Sequence, residues 1–136
     1  MILEAVKCLY VPYIWGGNDP VKDNGVDCSG FVGYLLKVAE LLDPDYDATA
    51  QGYCSKYIEK AVSNPYEGCL IFYGKNLGRI THVMVAINSL ACIGAIRGNK
   101  WVDSVLKAKK RKARVDTRAI NYRDDMKLIV DPFKEI

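Results

Sequence analysis

One cysteine and the only histidine of this chain have side chains and sequence neighbours that suit catalysis. Cys28 lies in the stretch Asp-Cys-Ser-Gly-Phe-Val, and His82 follows much later in the chain. A glycine-rich loop leads into an apolar helix that is predicted to begin at Cys28, where unpaired N–H groups and the helix dipole would lower the pKa of a thiol. Acyl transfer by a thiolate needs a proton shuttle, and His82 is the one imidazole available. The two residues predict a Cys-His hydrolase.

The other four cysteines have a different setting. Cys8, Cys54, Cys69 and Cys92 lie among apolar neighbours, which is typical of small buried side chains. The total of five is odd and no two cysteines form a CxxC pair. We therefore expect neither a disulfide framework nor a zinc site, and no metal or cofactor is implied.

Length and composition indicate one globular domain over residues 1–136. Half of the residues are hydrophobic and 26% are charged, and no stretch approaches the apolar length of a membrane span. The first residues have neither the basic region nor the apolar core of a signal peptide. We expect synthesis in the cytoplasm without a signal peptide, so that action outside the cell would require release or delivery by another route.

The net charge of +3 is unevenly distributed. A basic run occupies residues 107–114 and consists of Lys107, Lys109, Lys110, Arg111, Lys112 and Arg114. One interpretation is a solvated loop or strand, and the other is attraction to a polyanion such as an anionic cell-wall polymer or membrane surface. No nucleic-acid motif accompanies the run, so a nucleic-acid partner is not expected.

The elements that must position Cys28 and His82 can be predicted from apolar spacing. Phe31, Leu35, Val38 and Leu42 form one face of a helix over residues 28–42, with Cys28 on the same stripe. Further helices are predicted over residues 2–10 and 50–62, and strands over 69–73, 81–87, 90–96, 114–120 and 127–130. Helices followed by strands indicate an α+β fold with an antiparallel sheet, in which His82 begins a central strand.

Three motifs resemble the NlpC family of papain-like cysteine peptidases over most of the chain. They are Tyr-x-Trp-Gly-Gly at 13–17, Asp-Cys-Ser-Gly-Phe-Val at 27–32 and His-Val at 82–83, with Gly-Cys-Leu-Ile-Phe at 68–72 as the strand before the histidine. The resemblance implies a papain-like fold, in which N-terminal helices include a nucleophile helix packed on a small antiparallel β-sheet. It also implies cell-wall peptide substrates, often cut between D-γ-glutamate and a diamino acid. The ends Tyr-Arg-Asp-Asp at 122–125 and Asp-Pro-Phe at 131–133 resemble short phage and prophage members.

The resemblance also implies roles for individual residues. Cys28 would be the nucleophile and His82 the general base. Tyr13 would place its hydroxyl near the thiol, where it helps the oxyanion or the substrate. Asp27 and Ser29 would line the cleft and could bind the free amine of a stem peptide. The structural alternatives are that Tyr13 only packs and that Asp27 only caps the helix.

One departure from the family leaves the activity open. The family has a third polar residue about a dozen positions after the histidine, and here that position falls near Gly94. A backbone carbonyl, Asn88 or Asp103 could orient His82 instead, or a Cys-His dyad could suffice. The sequence thus leaves three classes: a peptidoglycan peptide hydrolase such as a prophage lysin, a related papain-like amidase or acyltransferase, and a catalytically impaired wall-binding or phage structural component.

Overall fold

The computed structural model describes residues 1–135 and contains four helices around two sheets. The helices are α1 (Ile2–Lys7), α2 (Cys28–Val38), α3 (Ala50–Tyr57) and α4 (Val105–Arg111), with short 3₁₀ turns at Ile58–Lys60 and Ile120–Tyr122. The strands are β1 (Asn18–Asp19), β2 (Gly25–Val26), β3 (Leu70–Gly74), β4 (Ile80–Ala86), β5 (Ala91–Ile96), β6 (Arg114–Ala119) and β7 (Met126–Val130). The predicted α+β class is confirmed.

The main sheet has the strand order β6-β5-β4-β3-β7, and every neighbouring pair is antiparallel. The two remaining strands, β1 and β2, form a small ribbon inside the loop before Cys28, which the sequence did not predict. Because β4 lies at the centre of the main sheet, His82 near its start sits on a rigid support.

The two faces of β4 enter different clusters, as the alternation of its residues predicts. Val83 and Val85 belong to the large core under the helices, while Met84 and Ala86 belong to a smaller cluster on the opposite face. His82 shares the face of Met84 and is paired in register with Tyr73 of β3.

Helix α2 packs against β4 and β5 through fully buried side chains that include Phe31 and Leu35. Each such side chain stabilises the fold by roughly 1.5–3 kcal/mol. The helix ends sooner than the predicted residue 42, because Glu40 adopts a left-handed φ of 62° and the N–H of Leu41 bonds the carbonyl of Leu36 at 2.9 Å. Helices α1 and α3 are likewise shorter than predicted.

The basic run forms most of α4, a helix where one interpretation of the sequence had a solvated loop or strand, and its basic side chains within the helix are exposed to solvent. Ser104 caps the helix by accepting a hydrogen bond from the N–H of Lys107 at 3.2 Å, and Lys112 ends it in the left-handed conformation. Only Ala108 of α4 is buried, which is why the apolar pattern was too weak to reveal a helix.

No helix within residues 1–135 combines the length and the apolar character needed to cross a bilayer.

Candidate active site

The loop before α2 is bonded to the first turn of the helix, and this fixes Cys28. One oxygen of the Asp27 carboxylate accepts the N–H of Gly30 at 2.8 Å, and the other accepts the N–H of Gly16 at the same distance. A side chain at Gly30 would collide with the carbonyl of Gly17, so this contact requires glycine. Cys28 is therefore held at the junction of a tight loop and a packed helix.

Cys28 and His82 line one cavity of about 500 Å³, together with Tyr13 and Thr81. The backbone N–H of Val83, the neighbour of His82 on β4, faces the thiol and favours its ionised form. The structure thus brings together the predicted nucleophile and the predicted base from α2 and β4.

The environment holds both groups in their neutral forms. Burial raises the pKa of the Cys28 thiol to about 11, and the Asp27 carboxylate adds to the rise, outweighing the backbone N–H groups at the helix start. Burial and the nearby Arg123 guanidinium lower the pKa of His82 to about 4, against a smaller opposing effect of Asp125. The predicted lowering of the thiol pKa is therefore wrong, because desolvation outweighs the helix N-terminus. At pH 7 a neutral imidazole is available to accept the thiol proton.

A tyrosine from the C-terminal part of the chain holds the His82 ring. The hydroxyl of Tyr122 lies 2.9 Å from Nε2 of His82, and Tyr73 lies beside both rings with centroid distances of 5.6 Å. With Nε2–H donating to the Tyr122 oxygen, Nδ1 keeps its lone pair and can act as a base. Burial raises the pKa of Tyr122 to about 12, so the phenol stays neutral near pH 7.

The two side chains suggested by the sequence do not serve as the orienting group. The Asn88 amide oxygen accepts the backbone N–H groups of Leu90 and Ala91, and the Asp103 carboxylate pairs with Lys107 at 2.8 Å. The polar residue that the family has about a dozen positions after the histidine is indeed missing at Gly94. A side chain on Gly94 would meet Sδ of Met84 at 2.5 Å, so Met84 fills the space in which a polar side chain would stand.

A second cavity, of about 610 Å³, adjoins Cys28 on the side of the loop. The predicted residues Tyr13, Asp27 and Ser29 all line it, and the Ser29 hydroxyl donates to the Asp27 carboxylate at 3.3 Å. Asp47 also lines this cavity, and no sequence motif singled it out. With its two carboxylates, this side of the cleft suits a cationic group.

Tyr13 lies at the boundary between the two cavities and lines both of them. Its ring is held against the backbone of Gly98, where any side chain would collide with the ring. Burial and the neighbouring Cys28 raise the pKa of Tyr13, so its hydroxyl keeps its proton and can donate a hydrogen bond near the thiol.

Candidate metal ligands do not come together in the described part of the chain. Residues 1–135 contain no group of three or more His, Cys, Asp or Glu side chains placed to hold a metal ion.

Three features of this site define a papain-like cysteine hydrolase. A cysteine begins a helix, a histidine lies on the antiparallel sheet beneath that helix, and a polar side chain contacts the histidine nitrogen that faces away from the cysteine. Residues 10–122 match the sequence profile of the NlpC/P60 family, and the chain belongs to this family. Members of the family are cell-wall peptidoglycan endopeptidases that use a cysteine nucleophile.

Similar proteins carry the same domain within longer chains. The chain is 34% identical over 88 residues to the bifunctional muramidase/DL-endopeptidase CwlT of Bacillus subtilis, covering 63% of this chain and 25% of CwlT. It is 30% identical over 110 residues to the probable endopeptidase p60 of Listeria seeligeri, covering 74% of this chain and 20% of p60. The chain thus spans about a quarter or less of the length of these relatives.

The fold is also that of solved family structures. An NlpC/P60 family protein from Bacillus cereus superposes with a TM-score of 0.75 at 21% identity, covering 98% of this chain and 39% of the other. At that identity the likeness establishes the papain-like fold alone.

Proposed function

We propose that this domain is a cysteine endopeptidase that hydrolyses amide bonds in peptidoglycan stem peptides, of the D-γ-glutamyl–diamino acid type. The single observation that carries the proposal is that Cys28 and His82 line one cavity while Tyr122 occupies the second ring nitrogen of His82. Family membership and the DL-endopeptidase in the name of one relative support the choice of bond.

Because Cys28 and His82 are both neutral in the resting enzyme, the reaction begins with a proton transfer between them. Nδ1 of His82 takes the thiol proton as Sγ of Cys28 attacks the amide carbonyl, and the imidazolium then protonates the leaving amine. Water, deprotonated by the same imidazole, hydrolyses the thioester and frees Cys28. In the His82 tautomer whose Nε2–H donates to Tyr122, the Tyr122 oxygen stabilises the imidazolium that forms between these steps.

The negative oxygen of the tetrahedral intermediate needs hydrogen-bond donors beside the thiol. The Tyr13 hydroxyl and the backbone N–H groups at the start of α2 are placed to supply them. Asp27, Ser29 and Asp47 would receive the free amine of the stem peptide in the adjoining cavity, which all three of them line.

The impaired-enzyme alternative loses its main support. That alternative rested on the missing third residue near Gly94, and the contact of Tyr122 with His82 supplies an orienting group from another element. The acyltransferase alternative differs only in the acceptor of the thioester and predicts product transfer rather than hydrolysis.

The decisive experiment is mass spectrometry of muropeptides after digestion of purified walls, comparing the wild type with Cys28→Ala. New fragments that end in D-γ-glutamate and appear only with the wild type are expected. Fragments from a different bond would refute the bond assignment, and identical profiles from folded wild type and Cys28→Ala would refute the hydrolase.

The proposal also covers the kind of enzyme and how it attaches to the cell wall. The motifs at residues 122–125 and 131–133 resemble those of phage and prophage members and favour a phage or prophage lysin. The lysines of the basic run would attach the domain to anionic wall polymer, because α4 exposes them to solvent.

A further inference from the structure

The cavity that holds Cys28 and His82 has a strongly basic wall on the side away from Asp27. Among residues 1–135, the charged residues that line it are all arginines, from the end of β5, the end of α4, β6 and the C-terminal segment: Arg97, Arg111, Arg118 and Arg123. No Asp or Glu of this described part of the chain lines the same cavity. Four guanidinium groups around one cleft create a positive potential where a substrate must bind.

Two of these arginines pair with carboxylates, and the other two form no ion pair within residues 1–135. The Arg123 guanidinium pairs with the Asp125 carboxylate at 2.6 Å, and Arg118 lies 3.6 Å from the carboxylate of Asp116. Within residues 1–135, no acidic side chain lies within ion-pair distance of Arg97 or Arg111. The uncompensated charge of the wall therefore comes from Arg97 and Arg111.

The backbone of Arg97 is unusual. Its φ of 65° lies in the left-handed region, which glycine and asparagine adopt at lower cost than a long side chain. Arg97 nevertheless lines the cavity that contains Cys28 and His82. A strained position that keeps a charged side chain at a cleft indicates a binding role.

The chemistry of the proposed bond supplies the anion. A glutamyl residue linked through its γ-carboxyl retains a free α-carboxylate close to the scissile amide. Guanidinium groups bind carboxylates with paired, directional hydrogen bonds, which makes arginine the side chain suited to this group.

We propose that Arg97 and Arg111 form an anion subsite that selects substrates whose glutamyl α-carboxylate is free over substrates in which it is amidated. The inference rests on the proposed function and specifies which form of the stem peptide is cut. The cleft is then bipolar, because Asp27 and Asp47 face the cationic part of the peptide while the arginines face its carboxylate.

The first test compares two soluble stem peptides that differ only in a γ-D-glutamyl or a γ-D-isoglutaminyl residue. The wild type is expected to cleave the free acid with a kcat/KM at least about tenfold higher, the size of one lost charged hydrogen bond. The variant R97Q/R111Q should lose most of this preference. Lys110→Gln removes a charge from the same helix without lining the cavity, so it should keep the preference. A preference unchanged in R97Q/R111Q, or lost equally in Lys110→Gln, would overturn the proposal.

The second test does not depend on turnover. His82 is the only histidine, so its imidazole NMR signals report on the cavity without ambiguity in Cys28→Ala protein. Glutarate should shift these signals saturably and should bind at least about tenfold more weakly to the variant that also carries R97Q/R111Q. Tighter binding of inorganic phosphate than of glutarate would assign the wall to a phosphorylated polymer and overturn the carboxylate site. Arginine-dependent glutarate binding by a protein that cuts neither peptide would refute the proposed function alone, and no arginine dependence would refute the subsite.

Discussion

The phenolic oxygen of Tyr122 lies 2.9 Å from Nε2 of His82, and the ring of Tyr73 on the neighbouring strand β3 lies beside both rings. This contact replaces the polar residue that the family places on the strand after the histidine. It comes from the turn Ile120–Tyr122, which β6 and β7 flank in sequence. A segment far from His82 in the sequence thus supplies the hydrogen-bond partner of the proposed base.

Tyr122→Phe is expected to lower kcat by about 10- to 100-fold with little change in KM, because the ring of His82 loses its fixed orientation but the cleft keeps its shape. The phenylalanine ring preserves the packing on Tyr73. Steady-state kinetics on a soluble stem peptide measure both constants, and the pH profile should shift because Nε2 loses its partner.

Tyr66→Phe is the matched control for this variant. It also removes a hydrogen-bonded phenol, since the Tyr66 hydroxyl donates to the Asp131 carboxylate, but this pair lines no part of the catalytic cavity. Equal losses in the two variants would show that Tyr122 acts through the stability of the fold rather than through His82.

The activity is expected to persist at pH values well below the ordinary histidine pKa of 6.5. His82 acts as a base only when neutral, and burial with Arg123 lowers its pKa to about 4, so the acid limb of kcat/KM should be centred near pH 4. An acid limb centred near pH 6.5 would contradict this.

His82→Ala should lose about 10²–10⁴-fold in rate at every pH, because no other histidine can replace it.

The free energy of unfolding should also depend on pH through His82, over a wider range than the activity. The unfolded chain protonates His82 near pH 6.5 and the folded chain only near pH 4, so the unfolded state binds more protons between these values. The free energy of unfolding should therefore drop by up to roughly 3 kcal/mol as pH falls from 6.5 to 4. Urea titrations of the wild type and His82→Gln measure it, and an equal drop in both proteins would exclude His82 as the cause.

Cys28 is expected to be the first cysteine labelled by iodoacetamide in the folded protein. It alone is partly exposed, while Cys8, Cys54, Cys69 and Cys92 are buried. The labelling rate should rise steadily with pH above 7, because the thiol pKa is raised to about 11. Peptide mapping identifies the site, and denatured protein labelled at all five positions is the control. Preferential labelling of a buried cysteine would contradict the assignment.

The lysines of the basic run are expected to affect binding to walls but not turnover of a small peptide. Lys109, Lys110 and Lys112 lie outside the catalytic cavity, whereas Arg111 of the same helix lines it. The triple change of these lysines to glutamine should weaken pull-down by intact walls, most strongly at low salt, where charges are screened least. Turnover of the soluble peptide should change by less than about twofold, the limit of a surface charge effect. Unchanged wall binding would leave the run as a solvated surface.

Local patterns in the sequence were sufficient to predict the fold class and to single out Cys28 and His82 as the candidate nucleophile and base. A helix that begins at Cys28 can be predicted because Asp27 is a capping residue and Phe31 and Leu35 repeat at helical spacing. The alternation along β4 likewise placed His82 on the face opposite Val83. Such signals are readable because they depend on neighbours only a few residues apart.

The tertiary structure decided the features that depend on contacts between residues far apart in the sequence. The side chains Tyr122, Arg97 and Arg111 reach the cavity from three elements, and no local spacing relates them to Cys28 or His82. The direction of the pKa shifts was likewise decided by burial, which the helix-dipole argument from sequence could not include. The sequence determined which groups are the candidates for the chemistry, whereas packing determined their protonation state, the hydrogen-bond partner of His82 and the charge of the cleft around them.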